Sequence, residues 1–583
     1  MFFKKKKEVF YYVGMEVPQT SMDRYKCLDA TTRGVLEQAR NRITFVMMCF
    51  AVCFLIITAR LFQLSVMNYH ARQFIPSVLK TDVDFTRYNI LDRNGMILAT
   101  SVPTKDLSVN PKKVKPEDRT TVAHELAKVL PDVTEKEILH KLNGNTNFRY
   151  IKRNITPTEQ NAVNWLGYYF LQETDGEKRV YPQGHLFSHL LGRVDIDNHG
   201  TAGLEKAYEK TLSQQNLTLS LDMSVQEIVR KILSEEIKHF KADGGLSIVM
   251  DVNTGEVLAS VSLPDYNPNL PLEEKDKDKL FNKVTLGAYE FGSVFKLFNT
   301  AMGLDLGVIK PTDSYDASQA IQIGRKKLTD WRGQNRPLLV PEILIHSSNL
   351  GSVRIALKAG YQKQREFLKR FGFYEPLPIL LPERTRTQYP RSAKWAEITS
   401  ANISFGYGIS VSPLHLISAV SALVNGGYYR VPTFVKDGNK GQPEYQVISE
   451  KTSDIMRHMM WGVINWRIKP KDLGYGYAVG GKTGTANLIQ NGKYVEGKSR
   501  TTFVAAFPMS DPKYAVLVTL ENPKKLKETF NFNTAGWNAK PTGLKIIEQI
   551  APYLGIAPEE PWAQPAYMQR AIDASLQANK RGW

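Results

Sequence analysis

The chain has 583 residues, 42% of them hydrophobic and 23% charged, with a formal charge of +18. That length exceeds what one hydrophobic core usually holds, so two or three folded units are expected, and the balanced composition excludes both a disordered chain and a many-pass membrane protein. The positive charge suits nucleic acid, an anionic membrane surface or an acidic polymer, but beyond residues 4–7 (KKKK) the Lys and Arg residues are scattered and no zinc-finger spacing or aromatic-basic motif occurs, so no nucleic-acid partner is expected.

Residues 43–59 (ITFVMMCFAVCFLIITA) carry no charge and are bounded by Arg40, Arg42 and Arg60. With the apolar continuation to residue 66 this run is long enough for a helix to cross a hydrocarbon core of about 30 Å. A cleaved signal peptide fits poorly, since about 42 residues precede the run and no small-residue cleavage site follows it. A retained anchor over 43–66 is therefore expected. Nine Lys or Arg against five acids in residues 1–42 make that tail cytoplasmic by the positive-inside rule, with the remainder exported across the inner membrane to the periplasm. Cys27, Cys49 and Cys53 are the only cysteines, so the exported part can form neither a disulfide nor a thiolate metal site, and no cofactor or metal is expected.

Residues 67–215 mix short β-like runs, such as 89–101, with helical stretches around 123–142, which reads as an irregular α+β module without a catalytic constellation. From residue 217 the signals sharpen. LTLSL leads into Ser224-Val225-Gln226-Glu227, a capping box opening a helix whose apolar positions run from Val225 to Phe240. Residues 246–252 and 256–263 flank Asn253-Thr254-Gly255 as a hairpin, 501–507 and 514–520 are two further strands, and 544–553 is a closing helix limited by Pro552. Strands at both ends of a domain with helices between them imply a mostly antiparallel sheet closed by distant segments, an α+β fold over 216–557. Residues 558–583 read as a surface tail.

Three short patterns carry the chemistry. Ser293 and Lys296, in YEFGSVFKLF, stand three apart at a helix start, so the amine shares a face with the hydroxyl and the helix N-terminus favours developing negative charge. Lys296 helps a serine attack only if it is neutral, so its pKa must fall by burial or by a second cation, for which Lys482 is the candidate. Ser347-Ser348-Asn349 supplies a hydroxyl and an amide to relay a proton and hold a substrate amide. Lys482-Thr483-Gly484-Thr485 offers a cation for a substrate carboxylate, two hydroxyls, and a glycine that lets an edge strand approach, followed by a hairpin turning at Asn491-Gly492. Each pattern alone is weak. Ser77 and Lys80 repeat the first, Ser108-Val109-Asn110 and Ser400-Ala401-Asn402 repeat the second, and Gly476 with Gly481-Lys482-Thr483 satisfies a P-loop spacing although the continuation reads as a strand. Their order, with 54 residues from Ser293 to Ser347 and 135 from Ser347 to Lys482, is what is specific.

With that trio, the chain resembles a class B penicillin-binding protein over nearly its whole length. Asp92-Arg93-Asn94-Gly95, Arg179-Val180-Tyr181-Pro182-Gln183-Gly184, His189-Leu190-Leu191-Gly192 and Gly203-Leu204-Glu205 are similar to that family's pedestal, with one departure at Tyr88, where a glycine is usual. Residues 251–259 (DVNTGEVLA), 265–268 (DYNP) and 534–538 (TAGWN) resemble most the division-specific transpeptidases. The resemblance implies an α+β transpeptidase domain with an all-helical subdomain, on an elongated pedestal behind one membrane helix. It implies attack by Ser293 on a stem peptide ending in D-Ala-D-Ala, an acyl-enzyme, transfer to an amine of a second stem peptide, and acylation by β-lactams. Lys296 is then the favoured base, Ser347 and Asn349 the relay and orienting pair, and the N–H groups of Ser293 and Thr485 the oxyanion hole. Implied partners are divisome proteins, including a polytopic SEDS-type glycosyltransferase. The elongation-specific relative, a D,D-carboxypeptidase, a β-lactamase, a β-lactam sensor and a catalytically dead division scaffold remain as alternatives.

Overall fold

The computed structural model describes residues 11–12, 15–16, 30–62, 87–392, 394–467, 476–490, 492–558 and 562–580, in two compact units, 1–84 and 85–583. The basic run 4–7, the Ser77/Lys80 pair and Asn491 lie outside the described residues.

The first unit contains α1 (Ala30–Phe62). Its stretch Asn41–Ala59 has a mean hydropathy of 2.3 and is apolar on every face, with Phe45, Phe50 and Phe54 all exposed. A helix apolar all round is stable only in an apolar surrounding, and this one is long enough to cross a membrane.

In the second unit the sequence's β-like run 89–101 becomes the beginning of β1 (Ile97–Val109), the longest strand of an outlying module. α2 (Arg119–Val129) and α3 (Glu135–Leu142) follow, then β2 (Arg149–Ile155), α4 (Pro157–Trp165) and β3 (Leu171–Val180). Thr134/Glu137 and Thr156/Glu159 form capping boxes that start α3 and α4. β1 pairs antiparallel with β3 from Thr100↔Val180 to Val109↔Leu171 and with β2 on its other side. Leu107, Val122, Leu126, Ile138, Ile151 and Val163 close a small core of their own.

One apolar core runs across the boundary expected at residue 215. Ile90, Leu98, Tyr181, Leu190, Leu204 and Leu217 belong to the same apolar cluster as Leu246 and Ile248 of the following domain. Between them lies a knot of buried charge. Glu205, fully buried, receives Arg87 Nε at 2.6 Å and Arg179 Nε at 2.8 Å, while Arg87 also reaches Glu209 at 2.8 Å. Tyr88, the departure from the family pattern, is held by its backbone, with its N–H on the Leu212 carbonyl (2.7 Å) and its carbonyl accepting from Arg179 (2.8 Å).

α5 (Met223–His239) opens the next domain, capped by Asp222 rather than by the expected Ser224: the Asp222 carboxylate accepts the N–H groups of Ser224 and Val225. The hairpin of β4 (Gly244–Asp251) and β5 (Val257–Leu263) follows as expected. A helical region contains α6 (Lys296–Asp305), α7 (Val340–Ile345), α8 (Asn349–Ala359), α9 (Pro413–Val424) and α10 (Glu450–Asn465). The chain then returns as β6 (Gly480–Gln490), β7 (Lys493–Phe507) and β8 (Tyr514–Glu521), ending in α11 (Ala539–Tyr553). These strands complete one antiparallel sheet in the order β5-β4-β8-β7-β6, so β6 is an edge. Val225, Val229, Ile546 and Ile547 of α5 and α11 pack on one face with Val249, Phe503 and Val518, and the helical region covers the other through Leu246, Leu517, Val420 and Leu423.

Residues 558–583 are more than a surface tail. They contain α12 (Ala566–Lys580), whose Met568, Ala571 and Ile572 are buried in the main core, with Met568 set against Gly462 of α10. Three of its five buried residues, Ala571, Ser575 and Ala578, are small, which dilutes the apolar period that marks a core helix in sequence.

Removing one partner from a buried charge cluster leaves the others desolvated and unpaired, so Glu205→Ala is expected to destabilise the second unit by roughly 3–5 kcal/mol. Urea unfolding of the soluble region checks this; a loss within about 1 kcal/mol, the range of an exposed pair, contradicts it.

Candidate active site

Ser293 sits in a single 3-10 turn, Gly292–Phe295, that runs straight into α6. Two glycines bring β6 against this turn. A Cβ on Gly484 would lie 2.2 Å from the Phe291 carbonyl oxygen, and one on Gly292, whose φ is +51°, would lie 2.7 Å from that of Thr485. No side chain fits between the strand and the Ser293 turn, so Gly484 is needed for contact within the protein, whereas the sequence suggested an approach to the substrate backbone.

Lys296 is wholly buried and its Nζ has three neighbours: Ser293 Oγ at 3.1 Å, the Ser347 carbonyl oxygen at 2.5 Å and Ser347 Oγ at 3.2 Å. Lys482, 1% exposed, places its Nζ 3.1 Å from the same Ser347 Oγ and 3.1 Å from the Thr483 carbonyl oxygen. Burial, and then the Lys482 charge, push the Lys296 pKa well below its ordinary value, opposed only by Asp330. Lys482 is pushed down to about 7 by burial and then by Lys540. A neutral lysine has two N–H donors and one lone pair. One N–H of Lys296 is committed to the Ser347 carbonyl, which can only accept; the other satisfies Ser347 Oγ, and the lone pair is left for the Ser293 hydroxyl proton. With the amine neutral, this packing leaves its lone pair facing Ser293 Oγ.

Ser347 owes its position to a helix ending. Its N–H bonds the Leu344 carbonyl (3.2 Å), that of Ser348 bonds the Ile343 carbonyl (2.9 Å), and Ser347 itself has φ +55°. This is a Schellman termination of α7 with serine where glycine is usual, a left-handed placement that costs about 1–2 kcal/mol. Ser348 then caps α8 by accepting the Gly351 N–H at 3.0 Å.

Asp330 was not legible in the sequence. Its carboxylate accepts the Ser348 hydroxyl (2.6 Å) and the N–H groups of Leu350 (3.0 Å) and Asn349, fixing the start of α8 from a loop whose residues have no motif spacing. The Asn349 side chain bonds the Thr329 carbonyl at 3.2 Å and is not bonded to Ser293 or either lysine. Thr485 Oγ1 accepts the Ala535 N–H at 3.2 Å, which leaves its proton free to donate. Thr483, Gly484 and Thr485 lie along the outer edge of β6, whose backbone is open to an added strand. Gly481-Lys482-Thr483 is inside that strand and not at a helix start, which removes the P-loop reading. Ser108 lies on β1 and Ser400 in the helix Glu397–Ser404, and neither is bonded to the Lys296 network.

Since a displacement of about 1 Å at a reacting centre costs on the order of 100-fold in rate, Gly484→Ala is expected to slow acylation of Ser293 by a fluorescent penicillin by at least that factor. Labelling time courses measure it; a rate within about 3-fold of the wild type contradicts the close-approach argument.

Comparison with known proteins identifies the family. The family described as penicillin binding protein transpeptidase domain matches residues 245–543, and the penicillin-binding protein dimerisation domain matches 83–218. The probable peptidoglycan D,D-transpeptidase FtsI of Caulobacter vibrioides is 33% identical over 494 residues, covering 81% of this chain and 82% of the relative. The probable peptidoglycan D,D-transpeptidase PenA of Neisseria gonorrhoeae is 29% identical over 565 residues, covering 90% and 94%. The crystal structure of a peptidoglycan synthetase from Bifidobacterium adolescentis shares the fold, with a TM-score of 0.64 and 22% identity over 82% of this chain and 97% of that one. Two matched domains in the family's order, together with relatives aligned over most of their length, place this chain among the class B penicillin-binding proteins, which are serine D,D-transpeptidases of peptidoglycan.

Proposed function

We propose that Ser293 is the nucleophile of this D,D-transpeptidase. The observation that carries the reading is the buried Lys296 amine bonded to both Ser293 and Ser347, with Ser347 bonded in turn to Lys482. Lys296 takes the Ser293 proton as Oγ attacks the penultimate D-alanine carbonyl of a stem peptide. The N–H groups of Ser293 and Thr485 meet the developing oxyanion, at a helix start and an edge strand respectively. The proton passes through Ser347 to the departing nitrogen, the terminal D-alanine leaves, and the acyl-enzyme remains. An amine of a second stem peptide then attacks it; the C–N bond forms, the C–Oγ bond breaks and Ser293 recovers a proton. Lys482 as a cation, with the Thr483 and Thr485 hydroxyls, holds the terminal carboxylate, and Asn349 orients the peptide amide from the rim. A β-lactam enters the same route and stops at the acyl-enzyme.

We further propose a septal role, supported by the FtsI relative and by the 251–259 and 534–538 motifs, with a divisome that includes a polytopic SEDS-type glycosyltransferase as partner. The charge distribution around α1 favours a cytoplasmic N-terminus and a periplasmic catalytic domain in the inner membrane. Midcell enrichment of a tagged chain supports division; placement along the lateral wall instead assigns the elongation role.

Fluorescent penicillin is expected to label the wild-type protein covalently and Ser293→Ala not at all; labelling of that variant overturns the assignment of the nucleophile. A pH test addresses the two lysines. Acylation requires Lys296 neutral and Lys482 charged, so its rate falls on the acid side as Lys296 gains a proton and on the alkaline side as Lys482 loses one. Because Lys540 holds the Lys482 pKa down, Lys540→Ala is expected to move the alkaline limb, which begins from about 7, to higher pH. An unchanged or lowered limb contradicts the charge coupling.

A further inference from the structure

Glu290 precedes the nucleophile by three residues and has no part in the steps above. It is 6% exposed, and its carboxylate accepts the Gly408 N–H at 2.7 Å and the Tyr494 hydroxyl at 3.2 and 3.0 Å. Among the described residues it makes no ion pair, and burial raises its pKa. The neutral amide of a glutamine would accept from both donors equally well. A carboxylate desolvated among neutral partners is a cost that a purely structural brace does not require, and such a group beside a reacting centre fits a cationic ligand.

Its position says which part of the substrate it meets. Tyr494 stands opposite Ile489 in the β6–β7 hairpin, Tyr407 lies against Tyr494 with ring centroids 6.0 Å apart, and the Tyr407 hydroxyl meets the Asn487 backbone. The Glu290 cluster therefore flanks the far end of β6, several residues beyond Lys482. A peptide added antiparallel to β6, its terminal carboxylate on Lys482 and its scissile carbonyl at Thr485, runs its preceding residues toward Asn487 and Tyr494. Cross-linking needs an amine on the acceptor stem peptide, and donor and acceptor are copies of one molecule. Every donor thus carries the same amine on a residue upstream of the scissile bond.

We propose that Glu290 is a specificity-determining residue that receives the side-chain ammonium of the diamino acid preceding D-Ala-D-Ala in the donor peptide. The ammonium enters beside Tyr494, whose hydroxyl is the only contact on Oε2 among the described residues, and supplies the counter-charge that the fold omits. The site is then polar along its length, with cations at the carboxylate end of β6 and an anion at the other. This inference rests on the D,D-transpeptidase reading.

The test compares Nα-acetyl-L-Lys-D-Ala-D-Ala with its Nε-acetylated form, reading kcat/KM for D-alanine release by the whole protein, with fluorescent penicillin labelling in parallel. One charge-assisted hydrogen bond corresponds to a preference of about 10-fold or more for the free amine, and Glu290→Gln is expected to bring that ratio to about 1. Tyr494→Phe, which changes an exposed ring and keeps the carboxylate, is expected to preserve the preference. Equal rates for the two peptides in the wild type overturn the proposal without any variant; a preference retained in Glu290→Gln, or lost in Tyr494→Phe, overturns charge recognition in favour of a brace. If penicillin fails to label the wild type, it is the Ser293 assignment that falls.

Discussion

Two lysine side chains buried within reach of one serine hydroxyl set the conditions for everything else in this protein. An ammonium removed from water is unfavourable, and two of them side by side more so, so burying Lys296 beside Lys482 weakens the hold of both on their protons. The same desolvation that destabilises the charged form produces a base next to Ser293. Burial lowers both pKa values, reinforced at Lys296 by the Lys482 charge and at Lys482 by the Lys540 charge. The environments therefore push two identical side chains toward different protonation states, one suited to accepting a proton and the other to holding a carboxylate.

Holding that arrangement requires local concessions. Ser347 adopts a left-handed backbone that glycine would take without cost, and in exchange its carbonyl and hydroxyl both face Lys296. Gly292 and Gly484 forgo side chains so that the edge strand can lie on the nucleophile turn. Asp330 collects three donors at the start of α8, which keeps Ser348 and the turn before it in register. Asn299, one turn beyond Lys296, donates to the Ser352 carbonyl (2.8 Å) and hydroxyl (2.9 Å), locking α6 against α8.

The rest of the second unit is built to keep this sheet and helical layer fixed. The Arg87–Glu205–Arg179 knot gathers residues from three separated motifs, and its partners lie where the outlying module's root merges with the main core. α12, from the far end of the chain, packs on α7 and α10, with Ser575 bonded to Glu342 at 3.2 Å and to His346 at 3.0 Å, next to the turn that presents Ser347. Elements distant in sequence thus support the helices that carry the relay.

The sequence by itself determined the family, the candidate site residues and the outline of the fold. Ser293, Lys296, Ser347 and Lys482 are legible because three short patterns recur in one order, and the membrane helix and the strands at 246–263 and 501–520 are legible because their apolar periods are local properties of the chain. Tertiary structure alone decided the partners that come from elsewhere. Asp330 and Lys540 have no spacing relation to the motifs they serve, Glu290 lies within the Ser293 motif but meets Gly408 and Tyr494 from far along the chain, Asn349 turns to Thr329, and Asp222 supplants Ser224 as a cap by one carboxylate reaching two N–H groups. The helix near the C-terminus escaped notice because small residues fill its buried face, and the core shared across residue 215 did so because such sharing has no sequence mark. Periodicity and local motifs record what a segment can become; burial, charge coupling and long-range hydrogen bonds exist only once distant segments meet.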